Sequence, residues 1–153
     1  MPVKKLKEFL DGQYVKYVSI IHSEAYTAQE VAASAHVSGR AMAKIVIVEL
    51  DGEMAMAVLP ANRKIVLQDL REITGSEKVK FAPEDTFKLR FPDCEIGAMP
   101  PFGNLYGMDV YVASSLAQNE EIAFNAGSHI EIIKMGYKDF ERLAKPRIVS
   151  FTT

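Results

Sequence analysis

Val3, Leu6, Phe9 and Leu10 recur at helical spacing and are followed by Asp11-Gly12, so the chain is predicted to open with a short amphipathic helix. Tyr14 to Ile21 reads as a strand. Thr27-Ala-Gln-Glu30 has the pattern in which a threonine hydroxyl caps the third amide of a helix while the glutamate reaches back, which predicts a helix from about Ala28 to His36 that stops near Gly39. The strongest local pattern is Lys44 to Leu50, then Asp51-Gly52, then Glu53 to Leu59. Asp-Gly readily takes the positive φ angles of a two-residue turn, so this is an antiparallel hairpin. Further helices are expected at Leu67 to Ile73, Pro83 to Phe91 and Tyr137 to Leu143. Strands are expected at Lys78 to Phe81, Met108 to Val112, Glu121 to Phe124, Ile130 to Met135 and Arg147 to Phe151.

Strands outnumber helices in this order, which predicts a mixed, strand-rich α/β domain whose sheet is largely antiparallel and barrel-like, with helices around it. The chain has 153 residues, 48% hydrophobic and 25% charged, enough for one domain with its own core, spanning 1–153. A net charge of -2 excludes a broad cationic surface, so nucleic acid, if bound, is held by a small part of itself. No apolar run approaches the ~20 residues of a membrane span, and the start of the chain lacks a signal-like pattern, which predicts a soluble, cytoplasmic protein with no membrane partner. One cysteine, Cys94, rules out an internal disulfide, and His22, His36 and His129 have no metal-ligand spacing. Neither a metal nor a cofactor is expected.

Three segments could carry chemistry. Lys44 heads the apolar strand Ile-Val-Ile-Val, where its ammonium would emerge at the edge of an apolar wall to hold a phosphate or polarise an oxygen, or simply reach solvent. Gly97-Ala-Met-Pro-Pro-Phe-Gly103 joins a permissive glycine to the stiff Pro100-Pro101, and a loop of this kind either presents rigid amides to an oxyanion or serves as a plain turn. Phe102 and Tyr106 could stack on a base or fill the core. Asn125-Ala-Gly-Ser-His129 places Gly127 and Ser128 beside His129, which could orient a water, donate to a ribose oxygen, act as a general base or hold structure. Ser128 and His129 are strand neighbours that point to opposite faces, which argues against a serine mechanism. Cys94 sits between Asp93 and Glu95, whose charges disfavour a thiolate. His22, Ser23 and Tyr26 could rim a pocket reached from the first strand.

Together, and in this order along nearly the whole chain, Lys44, the Gly97-x-x-x-Pro101 loop and the Gly127/His129 turn resemble the active-site segments of the YbaK/prolyl-tRNA synthetase-associated domain family. That resemblance implies a mixed, barrel-like sheet with packed helices, and hydrolysis in trans of the ester joining a small, wrongly attached amino acid to the tRNA 3′ end. It implies Lys44, Gly97 and His129 as catalytic positions, and His22, Tyr26, Ala98, Met99, Pro100, Pro101, Phe102, Gly127 and Ser128 around the substrate, with no side-chain nucleophile. The partners it implies are mischarged tRNA and an aminoacyl-tRNA synthetase. The late turn is Gly-Ser-His where one branch bears an aspartate, so the cargo stays open among alanine, serine, threonine and cysteine. Two rivals remain: a non-catalytic tRNA- or nucleotide-binding module, and a small-molecule hydrolase using Cys94 and His129.

Overall fold

In a computed structural model that describes residues 2–23, 25 and 27–153, the chain forms α1 (Pro2–Gly12), β1 (Tyr17–Ile21), α2 (Ala28–Ser34), β2 (Ala43–Leu50) and β3 (Glu53–Pro60). There follow α3 (Leu67–Thr74), β4 (Val79–Phe81), α4 (Glu84–Phe87), β5 (Asp109–Ala113), α5 (Ser114–Ala117), β6 (Glu121–Ser128), β7 (Glu131–Gly136), α6 (Tyr137–Ala144) and β8 (Arg147–Val149). The capping box is present: Thr27 Oγ1 accepts from the Glu30 amide at 3.1 Å and Glu30 Oε1 from the Thr27 amide at 3.2 Å. Helix α2 ends at Ser34, ahead of the expected stop, because His36 takes a left-handed φ of 57° and Val37 N–H closes back on Ala32 O at 2.8 Å. Asp51 and Gly52 both have positive φ, 51° and 89°, as the hairpin between β2 and β3 requires. The helix expected over Pro83 to Phe91 breaks into α4 and a 3-10 turn over Lys88–Arg90, since Phe91 precedes Pro92 and is pushed out of helical geometry, to φ −126° and ψ 58°.

The barrel-like sheet is corrected, while the expectation of mostly antiparallel pairing holds for four of the six strand pairs. Two open sheets form instead: an antiparallel one in the order β1-β7-β6, and a mixed one in the order β4-β2-β3-β5-β8. β3-β5 and β5-β8 pair in parallel, because long connections through α3, β4 and α4, and then through α5, β6, β7 and α6, return the chain in the same direction. One parallel bridge, Met42 to Ala123, joins the sheets without closing them.

The main core lies between the sheets. Leu6 and Leu10 of α1 enter it with Phe9 partly buried beside them. Phe102 is its hub, making edge-to-face contacts with Phe9, Phe124 and Phe140 at centroid distances of 5.4 to 5.6 Å. A second cluster under α3 joins Val48, Leu59, Leu70 and Phe151, and a third under α2 joins Val31, Met42, Ala61, Ala123 and Ile132. Among the described residues no helix is long and apolar enough to cross a membrane.

Candidate functional site

Strand alternation decides where Lys44 points. Ala43, Ile45 and Ile47 face the main core, so Lys44 shares the other face with Val46 and Val48 and stands where the α3 cluster gives way to the α2 cluster. There it lines a cleft of about 350 Å³ with Thr27, Ala28, Gln29 and Ala61. Gln29 Nε2 donates to Ala61 O at 3.2 Å, tying α2 to the end of β3 across this cleft. Partial burial, and then the nearby Lys64 charge, lower the Lys44 pKa from the usual lysine range. A larger cavity, about 620 Å³, lies at the far end of the β2–β3 hairpin around Asp51, Glu77 and Lys78, and contains none of the candidate residues.

Gly97, Gly127 and His129 are assembled by backbone. Glu95 N–H donates to Gly127 O at 2.8 Å and Gly127 N–H to Ala98 O at 2.9 Å, so the turn from Glu95 to Ala98 is pinned by its backbone to the end of β6. Both glycines have positive φ, 88° at Gly97 and 98° at Gly127, a region costly for any other residue. Gly127 lies in the β6 irregularity between Asn125 and Ser128, which re-aims the chain so that His129 lands over Gly97. A Cβ at Gly97 would stand 3.5 Å from His129 Nε2. The other ring nitrogen, Nδ1, donates to Glu95 Oε2 at 2.8 Å, and the His129 amide donates to the same oxygen at 3.1 Å. A carboxylate can only accept, so in the neutral ring this bond puts the proton on Nδ1 and the lone pair on Nε2.

Met42 and Ala123 pair in parallel, so Lys44 and Asn125, each two residues on, leave the bridge in the same direction and on the α2 side. Asn125 is 6% exposed, and its Oδ1 is buried without a hydrogen-bond partner among the described residues.

The remaining expected residues divide. Ala98, Met99 and Phe102 are 0%, 3% and 0% exposed and Pro100 and Pro101 are buried, so their side chains build the wall behind the loop. Phe102 in particular is committed to the core, the second of its two open readings; truncating such a ring costs about 3–5 kcal/mol. Tyr106, buried against Phe91 at 4.4 Å, is likewise taken. The Ala98 amide is spent on Glu95 O at 3.0 Å, while the exposed Gly97 N–H has no acceptor among the described residues. His22 ends β1 beside the His129 turn, with its amide on Ile130 O and Nδ1 donating to Ser23 O at 2.7 Å. Ser128 pairs with Glu131 in the ladder and makes no hydrogen bond to His129. Tyr26 lies outside the described residues.

Cys94 and His129 do not form a pair. The thiol contacts Tyr106 Oη at 3.5 Å, and burial, helped by Asp93, raises its pKa despite that bond and Lys5, so the environment favours the unreactive thiol. Glu95, in contrast, holds His129 in place, whereas in the sequence it stands out only as an acidic neighbour of Cys94. No spacing rule connects a loop carboxylate to a histidine 34 residues later.

A family model described as an aminoacyl-tRNA editing domain matches residues 22–143. No curated protein matches the chain. Among solved structures, a hypothetical protein superposes with a TM-score of 0.87 at 16% identity, covering 97% of this chain and 99% of that one. A structure from the computational grafting of an epitope backbone onto scaffold proteins gives 0.84 at 14% identity, with 99% and 97% covered. A candidate trans-editing enzyme for prolyl-tRNA synthetase gives 0.82 at 17% identity, also with 99% and 97% covered.

Proposed function

Because the chain belongs to the aminoacyl-tRNA editing domain family, we propose that it hydrolyses the ester between a small, wrongly attached amino acid and the 3′ end of tRNA, acting in trans and without a side-chain nucleophile. The observation that carries this reading is the stack of Glu95, His129 and Gly97: a carboxylate fixes an imidazole whose Nε2 lies over the exposed backbone of Gly97. That arrangement suits activation of a water, not attack by the protein itself.

In the proposed reaction the terminal ribose and its aminoacyl group lie between Lys44 and the Gly97 loop. Water attacks the ester carbonyl carbon, passing its proton to His129 Nε2. The Gly97 N–H and the Lys44 ammonium stabilise the negative charge that develops on the carbonyl oxygen. The bond from carbon to the ribose oxygen then breaks and that oxygen takes the proton, releasing a free amino acid and an intact tRNA. Glu95 keeps the ring in the required tautomer and steadies the positive charge it gains. Alanine, serine, threonine and cysteine are the proposed cargoes. The modest cleft lined by Ala28 and Ala61 supports a small residue, and small side chains are those a synthetase separates by only a few kcal/mol.

The test is a time course of amino acid release from a panel of correctly and incorrectly charged tRNAs, centred on tRNA(Pro) carrying alanine, serine, threonine or cysteine, with Lys44→Ala alongside. Selective release that falls at least about a hundredfold in the variant is expected. Release that is unaffected by the substitution on every tRNA cleaved by the wild type would overturn the assignment. The lowered Lys44 pKa adds a signature: the alkaline loss of rate should come below the normal lysine range and move upward in Lys44→Arg.

A further inference from the structure

We propose that Arg40, Arg63 and Lys64 form the track along which the RNA phosphate backbone leaves the cleft beyond its terminal nucleotide. This rests on reading the Lys44 cleft as the aminoacyl site.

Charge is unevenly spread along the chain. Val31 to Val48 contains no Asp or Glu and carries Arg40 and Lys44; Met54 to Gln68 contains none either and carries Arg63 and Lys64. The other 14 of the 18 basic residues are interspersed with all 20 acidic ones. Folding brings the two acid-free segments together at the cleft. Ala61 N–H donates to Met42 O at 2.7 Å, a Cβ at Gly39 would sit 3.4 Å from Asn62 Cβ, and the Lys64 charge is felt at Lys44.

Arg40, Arg63 and Lys64 are exposed, and none forms an ion pair with an aspartate or glutamate among the described residues. The acid of α2, Glu30, is engaged in the capping box with Thr27. The Arg63–Lys64 loop is also pinned: Arg63 Nη1 donates to Thr153 O at 2.8 Å, the Lys64 amide to Thr153 Oγ1 at 3.2 Å, and the Thr153 amide to Lys64 O at 2.9 Å. Cations concentrated beside a cleft, in a molecule of net charge -2, repel one another until an extended polyanion neutralises them. A backbone passing Lys44 and continuing over Lys64 and Arg63 toward Arg40 meets that need, and each phosphate contact adds salt-dependent affinity without reading sequence.

The experiment uses Arg40→Gln/Lys64→Gln, with Arg40→Lys/Lys64→Arg as the charge-retaining control. KM is measured for full-length mischarged tRNA and for aminoacyl-adenosine across a salt series. The neutral variant should raise KM for the tRNA about tenfold, and lower the slope of log affinity against log salt by about 1.5 to 2, with aminoacyl-adenosine hydrolysis at neutral pH unchanged and the control near wild type. An unchanged tRNA KM, or equal loss on both substrates, would overturn the track. If the wild type cleaves neither substrate, anisotropy with uncharged tRNA separates the two claims. Salt-dependent binding that the neutral variant loses keeps the track and retires the editing reading, whereas wild-type protein that shows no such binding retires the track.

Discussion

Two glutamates approach the β6–β7 turn from different elements and end in opposite situations. Glu131, at the head of β7, is 8% exposed, and its carboxylate accepts from Ser19 Oγ on β1 and Lys7 Nζ on α1, the latter at 2.8 Å. Burial alone would raise its pKa, but the bonds from Lys7 and Ser19 and the Lys7 charge together hold it below the usual value. Glu95, reaching in from the loop after Phe91, has a half-exposed side chain and spends one oxygen on the ring and amide of His129. The first carboxylate is closed in by complementary partners, which locks helix to sheet. The second aligns a ring whose Nε2 lies 3.5 Å from where a Cβ of Gly97 would stand, at a backbone position whose φ of 88° favours glycine. Both acids are hydrogen-bonded, so on the proposed reading what separates a structural acid from one that serves chemistry is the target of its partner.

Substitutions can break this contrast, and the largest effect is expected at the end of the Glu95 chain. His129→Ala should lower deacylation about a hundredfold while the unfolding midpoint in urea stays near wild type. A midpoint that collapses together with the rate would make His129 a structural residue like Glu131. Glu131→Gln should do the reverse, costing about 1–3 kcal/mol of stability near neutral pH with kcat unchanged. Its pH dependence has a definite sign. A carboxylate whose folded-state pKa is depressed contributes fully above its unfolded value and loses that contribution as pH falls through the folded one, so wild type and variant should converge in acid.

Glu95→Gln sharpens the comparison, because the residue acts only through His129. A drop of about tenfold in kcat with little change in KM is expected, and Glu95→Asp should recover part of it. Equal damage to KM would instead mean that Glu95 shapes the binding surface. The smallest effect is expected at Cys94→Ser, within about twofold, since the thiol faces Tyr106 and is kept protonated by burial. Loss of activity in that variant would restore the cysteine hydrolase as the better reading.

The sequence by itself determined the features that depend on a few neighbouring residues. The Thr27/Glu30 capping box, the Asp51-Gly52 turn and the apolar stripe of α1 were legible because a cap, a turn or a helix face is specified within one or two turns of chain. The stretches that carry the family resemblance are equally local: Lys44, Gly97 and His129 each sit in a short segment. What they do to one another is not local. The edge of β6 on which Gly97 docks, the carboxylate that orients His129, the parallel return of β5 and β8 and the commitment of Phe102 to the core all depend on contacts between distant parts of the chain. Hydrophobic spacing says that a residue is buried or lies on a given face, but not which other face it meets. Only the folded chain could therefore decide that Glu95 orients His129 and that Phe102 belongs to the core.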